Sequence, residues 1–99
     1  MEDNKLRAVS YCLYTSSNPD WEIVGNYEET EFDTMLEDAK NGKFDIILTK
    51  SISQFSENVV ELLTIVRDLR QHDVAVYFEE ESINTSALNS ELLLSVFAE

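Results

Sequence analysis

Lys43–Thr85, KFDIILTKSISQFSENVVELLTIVRDLRQHDVAVYFEEESINT, is the stretch that decides the fold. It reads as strand, helix, strand. Asp45–Thr49 (DIILT) is a short apolar run with charged flanks, the mark of a strand buried on both faces. Glu57–Gln71 places Val59, Leu62, Leu63, Val66 and Leu69 at helical spacing, so one stripe of a long helix faces inward. Val74–Phe78 (VAVYF) repeats the buried-strand pattern. A strand, a crossover helix and a strand form the repeating unit of a parallel sheet.

Working outward, Arg7–Tyr14 (RAVSYCLY) and Trp21–Tyr27 (WEIVGNY) are rich in β-branched and aromatic residues and read as two more strands. Thr30 is an N-cap candidate with Glu31 and Asp33 in the first turn, where acids suit the helix dipole. Phe32, Met35, Leu36 and Ala39 follow at helical spacing, and Gly42 suits a left-handed C-cap. Leu88–Phe97 reads as a closing helix. Only Thr15–Asp20 separates the first two strands, with Asn18-Pro19 as a turn signal. A parallel crossover takes roughly a dozen residues, so the spacing predicts an antiparallel β1–β2 hairpin. The expected fold is a single α/β domain over residues 1–99, a compact sandwich of about four strands in a mixed sheet, the first strand antiparallel, with three helices.

Charge narrows the function. Seven Lys and Arg stand against 20 Asp and Glu, a formal net charge of −13, while 43% apolar content is that of a globular chain. Binding nucleic acid requires cations that displace its counterions, so this composition excludes a direct nucleic-acid binder and favours a basic protein partner. Cys12 is the sole cysteine; no intrachain disulfide is open to it, and its apolar run predicts a buried structural thiol. His72, the sole histidine, falls at the end of the long helix, where a dipole or surface role is expected. No His/Cys cluster, calcium loop or glycine-rich phosphate loop is present, so neither metal nor cofactor is expected. The apolar runs are too short to span a membrane, and a cytoplasmic protein is expected.

Several separated motifs then recur in one order. They are Tyr11-Cys12-Leu13-Tyr14-Thr15-Ser16, Trp21-Glu22-Ile23-Val24-Gly25, Leu36-Glu37-Asp38-Ala39, Gly42-Lys43, Asp45-Ile46-Ile47, Lys50-Ser51, Ser53-Gln54-Phe55-Ser56-Glu57-Asn58, Val76-Tyr77-Phe78-Glu79, Ile83-Asn84-Thr85 and Glu91-Leu92-Leu93-Leu94. In this order they resemble the catalytic domain of the serine recombinases, the resolvase/invertase family, over most of the chain. The resemblance implies a resolvase-like (flavodoxin-like) fold. It also implies where catalysis would sit. The family's first-strand arginine falls on Leu13 and its nucleophilic serine on Thr15, with Ser16 one step further; its two phosphate-binding arginines fall on Gln54 and Glu57. Every mapped catalytic position is changed, so no catalysis is expected. Relative to the family pattern, a helix after the first strand, a mobile loop after the second and the DNA-binding tail are expected to be missing. Leu88, Leu92, Leu93, Val96 and Phe97 fit either packing on the sheet or a subunit contact, and the resemblance, whose family dimerises through this helix, implies a possible homodimer through Leu88, Leu92, Val96 and Phe97.

The carboxylates supply the remaining candidates. Glu28, Glu29, Glu31, Asp33, Glu37 and Asp38 form one cluster, Glu79, Glu80 and Glu81 another, and Glu57 opens the long helix. Open α/β sheets place their sites at the carboxyl ends of parallel strands, so these acids are expected on one rim. The expected function is a non-catalytic, acidic protein-binding module that blocks a nuclease or other nucleic-acid-handling protein, in the manner of a DNA mimic acting against CRISPR or restriction. The alternative is a degenerate recombinase that pairs with an active serine recombinase and regulates it.

Overall fold

The computed structural model describes residues 5–12 and 18–87. Five strands form one sheet: β1 Leu6–Tyr11, β2 Trp21–Tyr27, β3 Ile46–Thr49, β4 Ala75–Phe78 and β5 Ile83–Asn84, in spatial order β2-β1-β3-β4-β5. The helices are α1 Phe32–Lys40, the single turn α2 Ile52–Phe55 and α3 Val59–Gln71, with a 3-10 turn Glu29–Glu31 leading into α1. The expected closing helix Leu88–Phe97, and with it Leu88, Leu92, Val96 and Phe97, lies outside the described residues.

β1 and β2 are parallel, not the expected antiparallel hairpin: Leu6 pairs with Trp21 and Tyr11 with Tyr27. The error lies in where β1 stops. The apolar pattern runs on to Tyr14, but the strand ends at Tyr11 and the chain turns at Cys12, whose φ is 61°. β1 ends at Tyr11 and β2 begins at Trp21, so nine residues lie between them. A six-residue strand is about 17 Å long, whereas nine extended residues reach about 30 Å, so the chain has length enough to return to the start of β1. The Leu6 N–H donates to Asp20 O at 3.0 Å and the Cys12 N–H to Tyr27 O at 2.8 Å, one bond fixing each end of the pair. β1–β3 and β3–β4 are parallel as well; the antiparallel strand is β5, paired to β4 through Phe78–Ile83 and Tyr77–Asn84. Two residues are too few to carry a periodic signal, and β5 is the strand beyond the expected four.

α1, α2 and α3 cover one face of the sheet. Met35 and Ala39 of α1, Ile52 and Phe55 of α2, and Leu62, Val66 and Leu69 of α3 pack on Val9, Ile47, Val76 and Phe78 in one buried cluster. Ala8, Ile46 and Leu48 form a second cluster on the other face, with Trp21, Ala75 and Tyr77 packed against it. Each large side chain so buried is worth about 1.5–3 kcal/mol of transfer free energy. β3 is buried at all four positions, as its unbroken apolar run requires.

Local chemistry sets the boundaries. The Asn58 side chain caps α3 by accepting from the Glu61 N–H at 3.0 Å, so that helix starts two residues after the expected Glu57. Ser51 caps α2 in the same way through the Gln54 N–H at 3.2 Å. Gly42 takes φ 77° just past α1, the left-handed conformation that ends the helix. At the amino ends of β1 and β3, Arg7 Nη2 meets Asp45 Oδ1 at 3.1 Å and also donates to Gly42 O at 3.1 Å. Among the described residues no helix is long and apolar enough to cross a membrane.

Thr49, at the end of β3, is fully buried, and its hydroxyl has no hydrogen-bond partner among the described residues. An unmade buried hydrogen bond costs about 1–3 kcal/mol. Thr49→Val keeps the shape and removes the hydroxyl, so it is expected to raise unfolding free energy by about 1 kcal/mol in urea denaturation; a fall of that size would contradict the unsatisfied state.

Candidate functional site: a carboxylate-walled cleft at the strand carboxyl ends

Four parallel strands bring four carboxyl ends to one rim, and a cleft of about 770 Å³ opens there. Tyr11 enters it from the end of β1, Glu29 and Phe32 from the turn after β2 and the start of α1, and Lys50 to Glu57 from the segment after β3. Glu61 joins from the first turn of α3 and Glu80 from the turn after β4. The ring of Phe32 stands edge-on to Tyr11 at 5.5 Å and to Phe55 at 5.2 Å, and Phe55 meets Phe78 of the core at 5.6 Å. Such pairs are worth about 0.5–1.5 kcal/mol each beyond their burial, so the base of the cleft is rigid.

The walls are polar and negative. Glu29, Glu57, Glu61 and Glu80 line the cleft together with Ser51, Ser53, Gln54 and Ser56; Lys50 is the one cation of the lining among the described residues. Burial pushes the Tyr11 hydroxyl up to about 12, with the neighbouring Cys12 and Glu29 acting in the same direction, so it stays protonated at neutral pH. Burial also raises the Cys12 thiol, against hydrogen bonds from Tyr11 and Gln54. This thiol is half-buried at a turn, not inside a strand as expected.

The expected site residues divide three ways. Glu29, Glu57 and Glu80 come together in the cleft, and Glu79 is exposed beside them on the same rim. Glu28, Glu31 and Glu81 are near but committed to backbone or neighbours: Glu31 Oε1 accepts from the Glu28 N–H at 2.8 Å, Glu28 Oε2 from the Asn26 amide at 3.0 Å, and Glu81 Oε1 from the Ile52 N–H at 3.2 Å. Asp33, Glu37 and Asp38 ride on α1 and are not part of the cleft lining, and Asp38 accepts from the Tyr27 hydroxyl at 2.6 Å and meets Lys43 at 3.3 Å. Of the four positions onto which the sequence resemblance maps catalytic residues, Gln54 and Glu57 line the cleft, while Leu13 and Thr15 lie outside the described residues. Glu61 was not foreseen; its signal is its place four residues after Glu57, the spacing that puts side chains on one side of a helical segment. Among the described residues no group of three His, Cys, Asp or Glu side chains is placed to hold a metal ion.

At the opposite rim the charges are matched. Arg7 pairs with Asp45, Lys40 with Asp68 at 2.7 Å, and Lys43 with Asp38. His72, at the C-cap of α3, sets Nδ1 2.9 Å from Asp68 O. Among the described residues, the carboxylates of the cleft lining thus outnumber the cations at the carboxyl rim.

An open, mostly parallel α/β sheet with helices on one described face and a polar cleft at its strand carboxyl ends defines the class of fold. The match to the family model "Resolvase, N terminal domain" over residues 13–99 makes it specific: the chain belongs to the resolvase N-terminal domain family. Its fold is similar to the N-terminal catalytic domain of TP901-1 integrase, at 17% identity and TM-score 0.73, covering 93% of this chain and 91% of that one. It is also similar to a resolvase family site-specific recombinase from Streptococcus pneumoniae, at 22% identity and TM-score 0.77, covering 95% and 86%. No curated protein matches the chain.

Asp38, Asp45 and Asp68 are all held below the usual carboxylate value of 3.8, first by hydrogen bonds from Tyr27, Arg7 and Lys40 respectively. Groups lowered in the folded state stabilise it above their unfolded pKa, and that stability is lost as pH falls through the folded values. The urea midpoint is therefore expected to be flat in these groups above about pH 5 and to drop below it. Asp45→Asn should make the acid limb shallower; an unchanged limb would contradict the pairing with Arg7.

Proposed function

We propose that this chain is a non-catalytic resolvase-family domain that binds and regulates an active serine recombinase, presenting its carboxylate rim to the partner's basic, phosphate-gripping surface. The observation that carries this reading is the lining of the cleft: Glu29, Glu57, Glu61 and Glu80 against Lys50 alone.

Attack on a DNA phosphodiester needs a positioned hydroxyl and cations to stabilise the charge that develops on phosphorus oxygens. The cleft offers carboxylates where those cations would act. A phosphate about 4 Å from one carboxylate meets repulsion of about 1 kcal/mol in bulk water and about 4 kcal/mol at an effective dielectric of 20. Four such carboxylates make the rim a poor seat for DNA and a good one for Arg and Lys side chains. Membership of the resolvase family supports a recombinase as the partner by ancestry. The same charge would also serve an inhibitor of another nucleic-acid-handling protein, such as a CRISPR or restriction nuclease; the rim fits either basic partner, and ancestry favours the recombinase.

Titration of the folded chain against a purified active serine recombinase tests this. Binding is expected to weaken steeply from low to high salt, because rim charges are screened. Glu57→Gln combined with Glu61→Gln should weaken it about tenfold, on the order of 1 kcal/mol, with circular dichroism unchanged. The chain alone is expected not to retard duplex DNA. Absence of recombinase binding, or binding indifferent to salt and to both substitutions, would refute the reading.

A further inference from the structure

β2 is an edge strand: β1 pairs along one side, and among the described residues no strand pairs along the other. It is seven residues long, with Ile23 42% and Val24 49% exposed. An open edge with apolar side chains is a template for another strand. Its register against β1, however, is broken in the middle. Ala8 pairs with Ile23 and Val9 with Gly25, so Val24 is an extra residue opposite none.

The side chains on either side of Val24 show the effect. Trp21 stacks on Tyr77 at 5.2 Å over the Ala8–Ile46–Leu48 cluster. Tyr27 packs against Phe44 at 5.8 Å, in the cluster on the opposite face. Residues six apart in an unbroken strand share a face. Val24 therefore inverts the alternation, and both aromatic rings reach a core because of it. Bulges are rare in parallel pairs; they bend a strand, disrupt its ladder locally and re-aim its side chains.

The free side of β2 inherits the break. An incoming regular strand alternates without interruption, so it can match Trp21–Ile23 or Gly25–Tyr27 but not both. Two-fold pairing of two copies through the first run would set Glu22 opposite Glu22, a like-charge pair that destabilises a ladder. The second run is short and contains a glycine, which has no side chain to pack. The geometry points to Val24, with Glu22, as a guard that keeps the β2 edge from pairing with a second copy of this chain. The guard acts on strand pairing alone and leaves the carboxylate rim and its partner untouched.

Amide hydrogen exchange across Trp21–Tyr27, followed from dilute to concentrated solution beside sedimentation velocity, tests this. In the wild-type chain β2 exchange is expected to be independent of concentration. A variant with Val24 deleted and Glu22→Thr has an unbroken edge; its β2 exchange should slow about tenfold on concentration, with faster sedimentation. Concentration-dependent protection of β2 in the wild type would overturn the proposal. So would a folded double variant whose β2 exchange ignores concentration. Should the deletion fail to fold, Glu22→Thr at full length retains the bulge and must stay unpaired; pairing there would equally overturn the role of Val24.

Discussion

The parallel alignment of β1, β2, β3 and β4 is the constraint on which the rest of the molecule depends. Strands that run the same way end on the same side. Each connection at that side then contributes to one surface: Glu29 after β2, Lys50 to Glu57 after β3, Glu80 after β4. Had β1 and β2 formed a hairpin, Tyr11 and Glu29 would lie at opposite ends of the sheet and the cleft would lose one wall. Three features hold the alignment in place: the bonds at the two ends of the β1–β2 pair, the Arg7–Asp45–Gly42 contact at the amino rim, and the fully buried β3 between them.

The same alignment sorts charge. Helices that leave the carboxyl rim end at the amino rim, so Lys40 and Arg70, in the last turns of α1 and α3, sit far from the cleft. Cations there suit the helix dipoles. Asp38, Asp45 and Asp68 neutralise their neighbours at that end, leaving carboxylates to dominate the other. Among the described residues the acidic charge thus becomes a directional property, which is what the proposed basic partner would read.

Much of this was legible in the sequence where burial leaves no choice. β3 and β4 announce themselves as apolar runs, α3 by its Leu62–Val66–Leu69 stripe, and the end of α1 by Gly42. The direction of β1 was not legible. Leu13 and Tyr14 prolong the apolar pattern past the point where the backbone turns at Cys12, which made the connection look too short for a crossover. β5, of two residues, and α2, of four, each span about one period of their patterns, too little for a repeat to show. At the site, composition marked the acids but not their duties. Glu80 lines the cleft while Glu81, one residue on, caps the start of α2, and only three-dimensional placement separates the two.

The central proposal is that the carboxylate-lined cleft of this resolvase-family domain repels phosphate. The most direct measurement is a trapping experiment. The chain is incubated with recombination-site DNA, denatured without proteolysis, and examined by mass spectrometry for a covalent protein–DNA adduct. The account predicts unmodified protein alone, because the lining of the cleft supplies Glu57 and Gln54 where phosphate-binding cations would be needed. An adduct through Thr15 or Ser16 would contradict it.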